Sequence, residues 1–139
     1  MKKIFAILLF TIPILISCEE EVFDPKKPKA FLREDFKEVG YTEHFTIPDS
    51  CGYIRIGYQT FYKSENLISV TIPSFINRIP NGAFWGCKEL KAVYIPNSIV
   101  YFGEEMFVEC DNLNSVYIED ENPMKDLLIK VYGDLIKVK

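Results

Sequence analysis

Apolar residues recur at a fixed spacing of 23 residues through the middle of the chain. Six columns show it: Phe61, Phe84 and Phe107; Leu67, Leu90 and Leu113; Val70, Val93 and Val116; Ile72, Ile95 and Ile118; Ile56, Ile79 and Phe102; Ser64, Cys87 and Cys110. Self-similarity at one period is the sequence signature of a stacked repeat array. We therefore predict repeats over residues 45–118, with Phe45-Thr46-Ile47-Pro48 as the end of a further, displaced repeat.

Within each repeat the pattern Leu-x-x-Val-x-Ile alternates as a strand buried on one face should. Pro73 and Pro96 end two of these strands, because proline donates no hydrogen bond to a ladder. A single repeat cannot bury its apolar side, so neighbours stack with their strands parallel and about 4.8 Å apart. The prediction is a short parallel sheet of about four strands.

The full pattern Ile-Pro-x-x-Ile-x-x-Ile-x-x-x-x-Phe-x-x-Cys-x-x-Leu-x-x-Val-x-Ile, best seen from Ile72 to Ile95, resembles the BspA-type leucine-rich repeat. The resemblance covers roughly half the chain and implies a β-rich α/β leucine-rich-repeat solenoid. It also implies adhesion or surface binding, with which members of that family are associated. Ser64 stands where the family prefers cysteine, and Met106 where alanine usually precedes the phenylalanine.

Both ends of the array are predicted to be capped, giving one leucine-rich-repeat domain over residues 30–139. Four apolar residues share a helical face at the N-terminal end: Phe31, Leu32, Phe36 and Val39. They predict a helical cap over residues 30–44. Gly133-Asp134 separates two mixed apolar segments and suits a type II′ turn, so we predict a β-hairpin cap over residues 119–139.

Residues 1–17 have the pattern of a secretory signal, with Lys2 and Lys3 followed by an apolar run. That run is shorter than the ~20 residues that span a bilayer. Leu15-Ile16-Ser17-Cys18 resembles the lipobox of bacterial lipoproteins, which implies cleavage before Cys18 and acylation of that cysteine. An ordinary secretory signal is the alternative.

Residues 18–29 then predict a solvated tether that begins with the acidic run Glu19-Glu20-Glu21. Acidic residues directly after the lipidated cysteine resemble a surface-export signal of some Gram-negative lipoproteins. We expect a lipid-anchored protein of the bacterial outer membrane, exposed at the cell surface. The periplasmic face is the alternative location.

Residues between the inward columns are predicted to face outward. Two outward columns and their flank are Thr46, Thr71, Tyr94 and Tyr117; His44, Ser69, Ala92 and Ser115; and Ile68, Lys91 and Asn114. Tyrosine brings apolar area and a hydroxyl to a recognition surface, although cross-strand aromatic pairs also stabilise sheets. Trp85 follows a phenylalanine column and either binds or packs on the convex side. The candidate binding residues are Ser69, Thr71, Lys91, Tyr94, Asn114, Tyr117 and Trp85.

Composition narrows the function further. The 139-residue chain has a formal net charge of −4, which argues against binding nucleic acid. One histidine, His44, excludes most histidine-based catalytic and zinc sites. The glycines form no phosphate-binding loop. We expect no catalytic residues, no metal and no cofactor.

The four cysteines form no Cys-x-x-Cys pair. Cys87 and Cys110 share a column, so we expect neighbours in adjacent turns that serve as small buried apolar residues. Stacked side chains point the same way, which is poor geometry for a disulfide.

Together these features predict a non-enzymatic recognition module, anchored by lipid, whose open sheet face binds a host or envelope protein. One alternative is a glycan-binding surface lipoprotein that uses Tyr94, Tyr117 or Trp85 as stacking platforms. The other is a structural component of the envelope that faces the periplasm.

Overall fold

The computed structural model describes residues 29–39, 42–49 and 52–139. The predicted signal peptide, the lipobox with Cys18, the tether up to residue 28, and Cys51 lie outside the described residues.

The described residues form a solenoid of short parallel strands. In chain order the elements are β1 (Lys29–Phe31), α1 (Arg33–Val39), β2 (His44–Thr46), β3 (Tyr53–Ile56), β4 (Ser69–Thr71), β5 (Arg78–Ile79), β6 (Ala92–Tyr94), β7 (Tyr101–Phe102), β8 (Ser115–Ile118), α2 (Lys125–Tyr132), a 3₁₀ turn (Gly133–Leu135) and β9 (Ile136–Val138). They build two parallel sheets, one ordered β1-β3-β5-β7 and the other β2-β4-β6-β8-β9.

The predicted solenoid and its four parallel strands are confirmed as β2, β4, β6 and β8. Val70 pairs with Val93 and Val93 with Val116, which is the register that the 23-residue spacing predicts. The second sheet was not predicted. After Pro73 or Pro96 the chain turns and enters a second strand, which is only two residues long in β5 and β7. So short a strand shows no alternation in the sequence.

The core lies between the two sheets and is organised around a ladder of phenylalanine rings. Phe61 and Phe84 stack with centroids 5.0 Å apart, and Phe84 stacks on Phe107 at 5.4 Å. Phe36 of α1 meets Phe61 edge-on at 4.8 Å, and Tyr132 of α2 meets Phe107 at 5.3 Å. The two helices therefore close the two ends of the ladder.

The predicted helical cap at the N-terminal end is confirmed by α1, which buries Phe36. Two of its expected face residues lie elsewhere. Phe31 belongs to β1. Its carbonyl oxygen accepts hydrogen bonds from the Gly57 N–H at 2.8 Å and from the Thr60 hydroxyl at 2.9 Å. Leu32 is 47% exposed. These donors hold residues 29–31 in the sheet, so the helix begins only at Arg33.

The predicted C-terminal β-hairpin is wrong. Residues 125–132 form helix α2, and β9 pairs parallel with β8. The spacing of Leu128, Val131, Tyr132 and Leu135 is i, i+3, i+4, i+7, which places all four against the open end of the core. Gly133 has a φ of 54° and ends the helix instead of opening a hairpin.

Candidate functional site

The outward residues of the longer sheet line up in one row. Strand pairing joins them in the order Thr46, Thr71, Tyr94, Tyr117 and Lys137. We call this row and its neighbours the tyrosine face. The four residues predicted as one outward column thus lie side by side, and β9 adds Lys137 to them.

A stacked pair of tyrosines stands at the centre of the tyrosine face. The Tyr94 and Tyr117 rings are 4.8 Å apart and 17° from parallel, and Tyr94 keeps 37% of its surface exposed. The Lys139 ammonium lies 4.1 Å from the Tyr117 centroid and 5.0 Å from that of Tyr94. Because the face of an aromatic ring is electronegative, this cation is held over both rings.

A shallow cavity of about 230 Å³ opens beside the two rings. Apart from the tyrosines, its walls are apolar and its rim is charged: Ile72, Ile95, Pro96 and Ile118 form the walls, and Glu119 and Lys139 the rim. The Asn97 amide donates to a Glu119 carboxylate oxygen at 2.5 Å, which fixes that side chain. The cavity suits an apolar side chain that ends in a polar group.

The other predicted residues of this surface lie around the tyrosines. Ser69 pairs with His44, and its hydroxyl is 2.7 Å from the His44 Nδ1 atom. Lys91 and Asn114 are exposed in adjacent turns, where the Asn114 N–H donates to the Lys91 carbonyl at 3.2 Å. The structure therefore brings Ser69 and Thr71 onto the face and sets Lys91 and Asn114 at its margin.

Trp85 is separate from this group. It lies in the turn between β5 and β6, belongs to neither sheet and is half-buried. Its carbonyl oxygen accepts a hydrogen bond from the Lys63 N–H at 2.8 Å, which links successive turns of the solenoid.

The sequence analysis missed a second outward row, on the other sheet. Strand pairing joins Ala30, Arg55, Arg78 and Tyr101 across β1, β3, β5 and β7. We call this row the arginine face. The Arg78 guanidinium lies 5.8 Å from the Tyr101 ring centroid. Arg55, Arg78 and Tyr101 share the 23-residue spacing, so the signal was in the sequence, but a sheet to hold these residues was not foreseen.

A family model described as the BspA type leucine rich repeat region (6 copies) matches residues 25–126. The match spans more than two thirds of the chain and includes every strand of both sheets from β1 to β8. The chain belongs to the BspA-type leucine-rich repeat family.

Solved leucine-rich repeat proteins are similar to this family member. A T. pallidum leucine-rich repeat protein is 18% identical with a TM-score of 0.31, over 58% of this chain and 60% of its own. A Bacteroides ovatus ATCC 8483 leucine-rich repeat protein is 14% identical with a TM-score of 0.37, over 72% of this chain and 43% of its own.

A leucine rich cell surface protein of Faecalibacterium prausnitzii A2-165 is 21% identical with a TM-score of 0.26, over 53% of this chain and 31% of its own. The match therefore spans less than two thirds of each of these three proteins. No curated protein sequence matches the chain.

The cysteine column of the BspA-type repeat is structural in this chain. Cys87 and Cys110 are buried, as expected, and they are free thiols that donate to the carbonyl oxygens of Phe61 and Phe84 at 2.8 and 3.0 Å. Burial raises the pKa of Cys87 to about 11 and that of Cys110 to about 12. Both thiols stay protonated near neutral pH and are therefore poor nucleophiles.

Ser64 replaces cysteine in the same column. Its hydroxyl is buried and makes no hydrogen bond within the described part of the chain. The carbonyls bonded by Cys87 and Cys110 lie 26 residues before each thiol, and the position 26 residues before Ser64 falls within helix α1.

Within the described ranges, no three histidine, cysteine, aspartate or glutamate side chains gather as a metal site would require. The helices described there are also too short and too polar for any of them to cross a bilayer.

Proposed function

We propose that this chain is a non-enzymatic recognition module whose tyrosine face binds a protein partner. BspA-type repeat proteins are in general surface or protein-interaction modules. The observation that supports the proposal is the stacked Tyr94–Tyr117 pair on the outward row of a parallel sheet, with Lys139 over both rings. Tyrosine is enriched among the residues that dominate binding energy at protein interfaces.

The size of the face fits a modest protein interface. Five strands at a spacing of about 4.8 Å span roughly 19 Å, while a standard interface buries about 800 Å² on each partner. The cavity beside Tyr94 and Tyr117 supplies a pocket for one anchoring side chain. A small interface of this kind favours repeated display on a surface over a single long adhesive contact.

A glycan would use the tyrosines differently. Sugars stack on a ring face that is open, whereas Tyr94 and Tyr117 turn one face toward each other and Lys139 covers both rings. Trp85, the other platform considered, is half-buried in a turn outside both sheets. These contacts favour a protein partner over a glycan.

Photo-crosslinking in the native cell tests the proposal. A photoreactive phenylalanine analogue replaces Thr71, which lies on the face and leaves both tyrosines intact; a control carries it at Tyr58, which is exposed in a turn. We expect a discrete protein adduct from position 71 alone, lost when Tyr94→Ala and Tyr117→Ala are added. An unchanged adduct in that double variant excludes the tyrosines. A soluble glycan that binds the domain and requires the same tyrosines supports the alternative.

The location is part of the same proposal: a lipid anchor on Cys18 in the outer membrane, with the domain exposed at the cell surface. Labelling cells with an alkyne fatty acid is expected to mark the protein and to leave Cys18→Ser unmarked. Protease added to intact cells should digest the domain. Protection in intact cells, with digestion after lysis, would place it on the periplasmic side and favour the structural role in the envelope.

A further inference from the structure

The arginine face concentrates positive charge in an acidic protein. The chain has only three arginines and a net charge of −4, yet Arg55 and Arg78 occupy paired positions on β3 and β5. The four strands of this sheet carry three charged residues, Lys29, Arg55 and Arg78, and all of them are basic. No acidic residue lies on the sheet to offset them.

This pairing is unfavourable within the protein itself. Like charges directly opposite each other on neighbouring strands destabilise a sheet. The ion pair found in the described residues joins Lys125 to Asp120, far along the chain, and neither guanidinium has a carboxylate partner there. The Arg78 guanidinium lies 5.8 Å from the Tyr101 ring centroid. Two exposed arginines at paired strand positions, without a carboxylate partner among the described residues, are therefore available to an anion from outside.

The surroundings of the two arginines indicate the kind of anion. A second row beside them joins Ile54, Asn77 and Val100 through backbone hydrogen bonds of 2.8 and 2.9 Å. Ile54 is 36% exposed and Val100 63% exposed, so these two residues border the charged row with apolar surface. An inorganic ion makes no use of such a border. A polypeptide that presents carboxylates beside apolar side chains uses both.

Guanidinium geometry and overall charge favour the same partner. The planar fork of arginine matches a carboxylate with two parallel hydrogen bonds. A membrane surface, in contrast, rewards the number of cations, and this chain has an excess of acids that an anionic membrane repels. We infer that the arginine face binds an acidic, partly apolar segment of a partner polypeptide, at a surface on a different sheet from the tyrosine face.

Fluorescence anisotropy with a labelled glutamate-rich peptide tests this inference on the full chain. The test variant is Arg55→Gln with Arg78→Gln. The matched control is Lys88→Gln with Lys130→Gln, which removes the same charge from two exposed lysines outside this sheet. At low salt we expect at least a tenfold loss of affinity in the arginine variant and less than a twofold change in the control. Circular dichroism melts establish that each variant folds.

Three further measurements define the outcome. The variant Arg55→Lys with Arg78→Lys keeps the charge without the fork, and we expect it to lose most of the binding. Tyr94→Ala with Tyr117→Ala is expected to retain it, so failure of the tyrosine face and failure of this inference are distinguishable. Three outcomes would overturn the inference. They are equal losses in the arginine-to-glutamine variant and in the Lys88→Gln, Lys130→Gln control, no binding of the peptide at all, or tight binding to phosphatidylglycerol vesicles instead of the peptide.

Discussion

The two outward faces of this solenoid share one core and one repeat, but they differ in how their side chains are paired. On the tyrosine face the paired residues attract each other: Tyr94 stacks on Tyr117, and Lys139 lies over both rings. On the arginine face Arg55 and Arg78 occupy paired positions and repel each other. The first arrangement stabilises its sheet as well as offering a binding surface. The second has an energetic cost that binding an anion would remove.

Edge protection also differs between the sheets. The sheet that carries the tyrosine face (the tyrosine sheet) gains β9 beyond its last repeat. Within the described residues, the sheet that carries the arginine face (the arginine sheet) ends at the two-residue strand β7. Helix α2 closes this end of the core through the Tyr132 hydroxyl, which donates to the Gly103 or Glu104 carbonyl at 2.9 or 2.8 Å. The two faces therefore differ in how their last strands are covered as well as in the residues along each row.

The largest effect is expected from a change that both faces share. Phe84→Ala removes the middle ring of the buried ladder, which stacks on Phe61 and Phe107. We expect a loss of about 3–5 kcal/mol in the free energy of unfolding, since a cavity replaces a fully buried ring. Urea denaturation measures it, with Phe107→Ala at the half-buried end of the ladder as the milder comparison. Equal losses at the two positions would contradict a ladder buried most deeply at its centre.

A second change acts on the arginine sheet alone. A Cβ atom on Gly103, directly after β7, would lie 2.6 Å from the Asn81 Cα and closer still to the Asn81 backbone nitrogen. Because backbone cannot move aside, Gly103→Ala should cost about 3 kcal/mol. A Cβ atom on Gly133 would have no other atom within 4 Å. Gly133→Ala should therefore cost only the strain of a positive φ, about 1 kcal/mol of stability. Thermal melts compare the loss of stability in the two variants. Equal losses would mean that adjacent turns are not in close contact at Gly103.

The shared core also predicts a dependence on pH. The pKa of Cys87 is raised from 9.0 to about 11 by burial, so the folded state holds this proton more tightly than the unfolded chain. Its stabilising contribution is complete below pH 9 and is lost as the pH rises through about 11. At about pH 10.5 the loss is about 2 kcal/mol from this thiol. Urea denaturation under reducing conditions should show a smaller decline for Cys87→Ala; an identical decline would assign the effect to other groups.

The smallest effect tests the contrast between attraction and repulsion directly. Arg55→Gln removes one partner of the like-charged pair and should stabilise the protein by about 0.5 kcal/mol. Arg33→Gln is the matched control, because Arg33 donates to the Tyr62 carbonyl and lies 5.8 Å from the Tyr62 ring centroid, so its loss should destabilise. The gain at Arg55 should shrink in 0.5 M salt, where charges are screened within about 4 Å. Destabilisation by Arg55→Gln would show that the pair does not repel.

The register of the tyrosine sheet was accessible from the sequence because it depends on the repeat period alone. A spacing of 23 residues places Thr71, Tyr94 and Tyr117 in one outward row, and the pairing of β4, β6 and β8 confirms that row. The same reasoning identified Cys87 and Cys110 as buried neighbours. Their roles in the core follow from the period and the alternation of side chains across a strand.

The contacts that complete the tyrosine face depend on parts of the chain that do not repeat. Lys137 and Lys139 reach it only because α2 and the 3₁₀ turn return the chain to pair β9 beside β8. Residues 127–138 carry no repeat period, and their apolar positions fit both a hairpin and a helix. The helix forms because the open end of the core offers apolar surface to Leu128 and Tyr132, which is a tertiary effect.

The sequence by itself therefore determined the stacking of repeats and the outward column of the tyrosine face, because both follow from one period and one alternation, while the repeat motif indicated the family. Only the tertiary structure decided that a second sheet exists, that Arg55 and Arg78 face each other on it, and that helices close both ends. The physical reason is that two-residue strands are too short to show the alternation of a strand, and the end caps do not follow the repeat. They are stabilised by the neighbours they pack against.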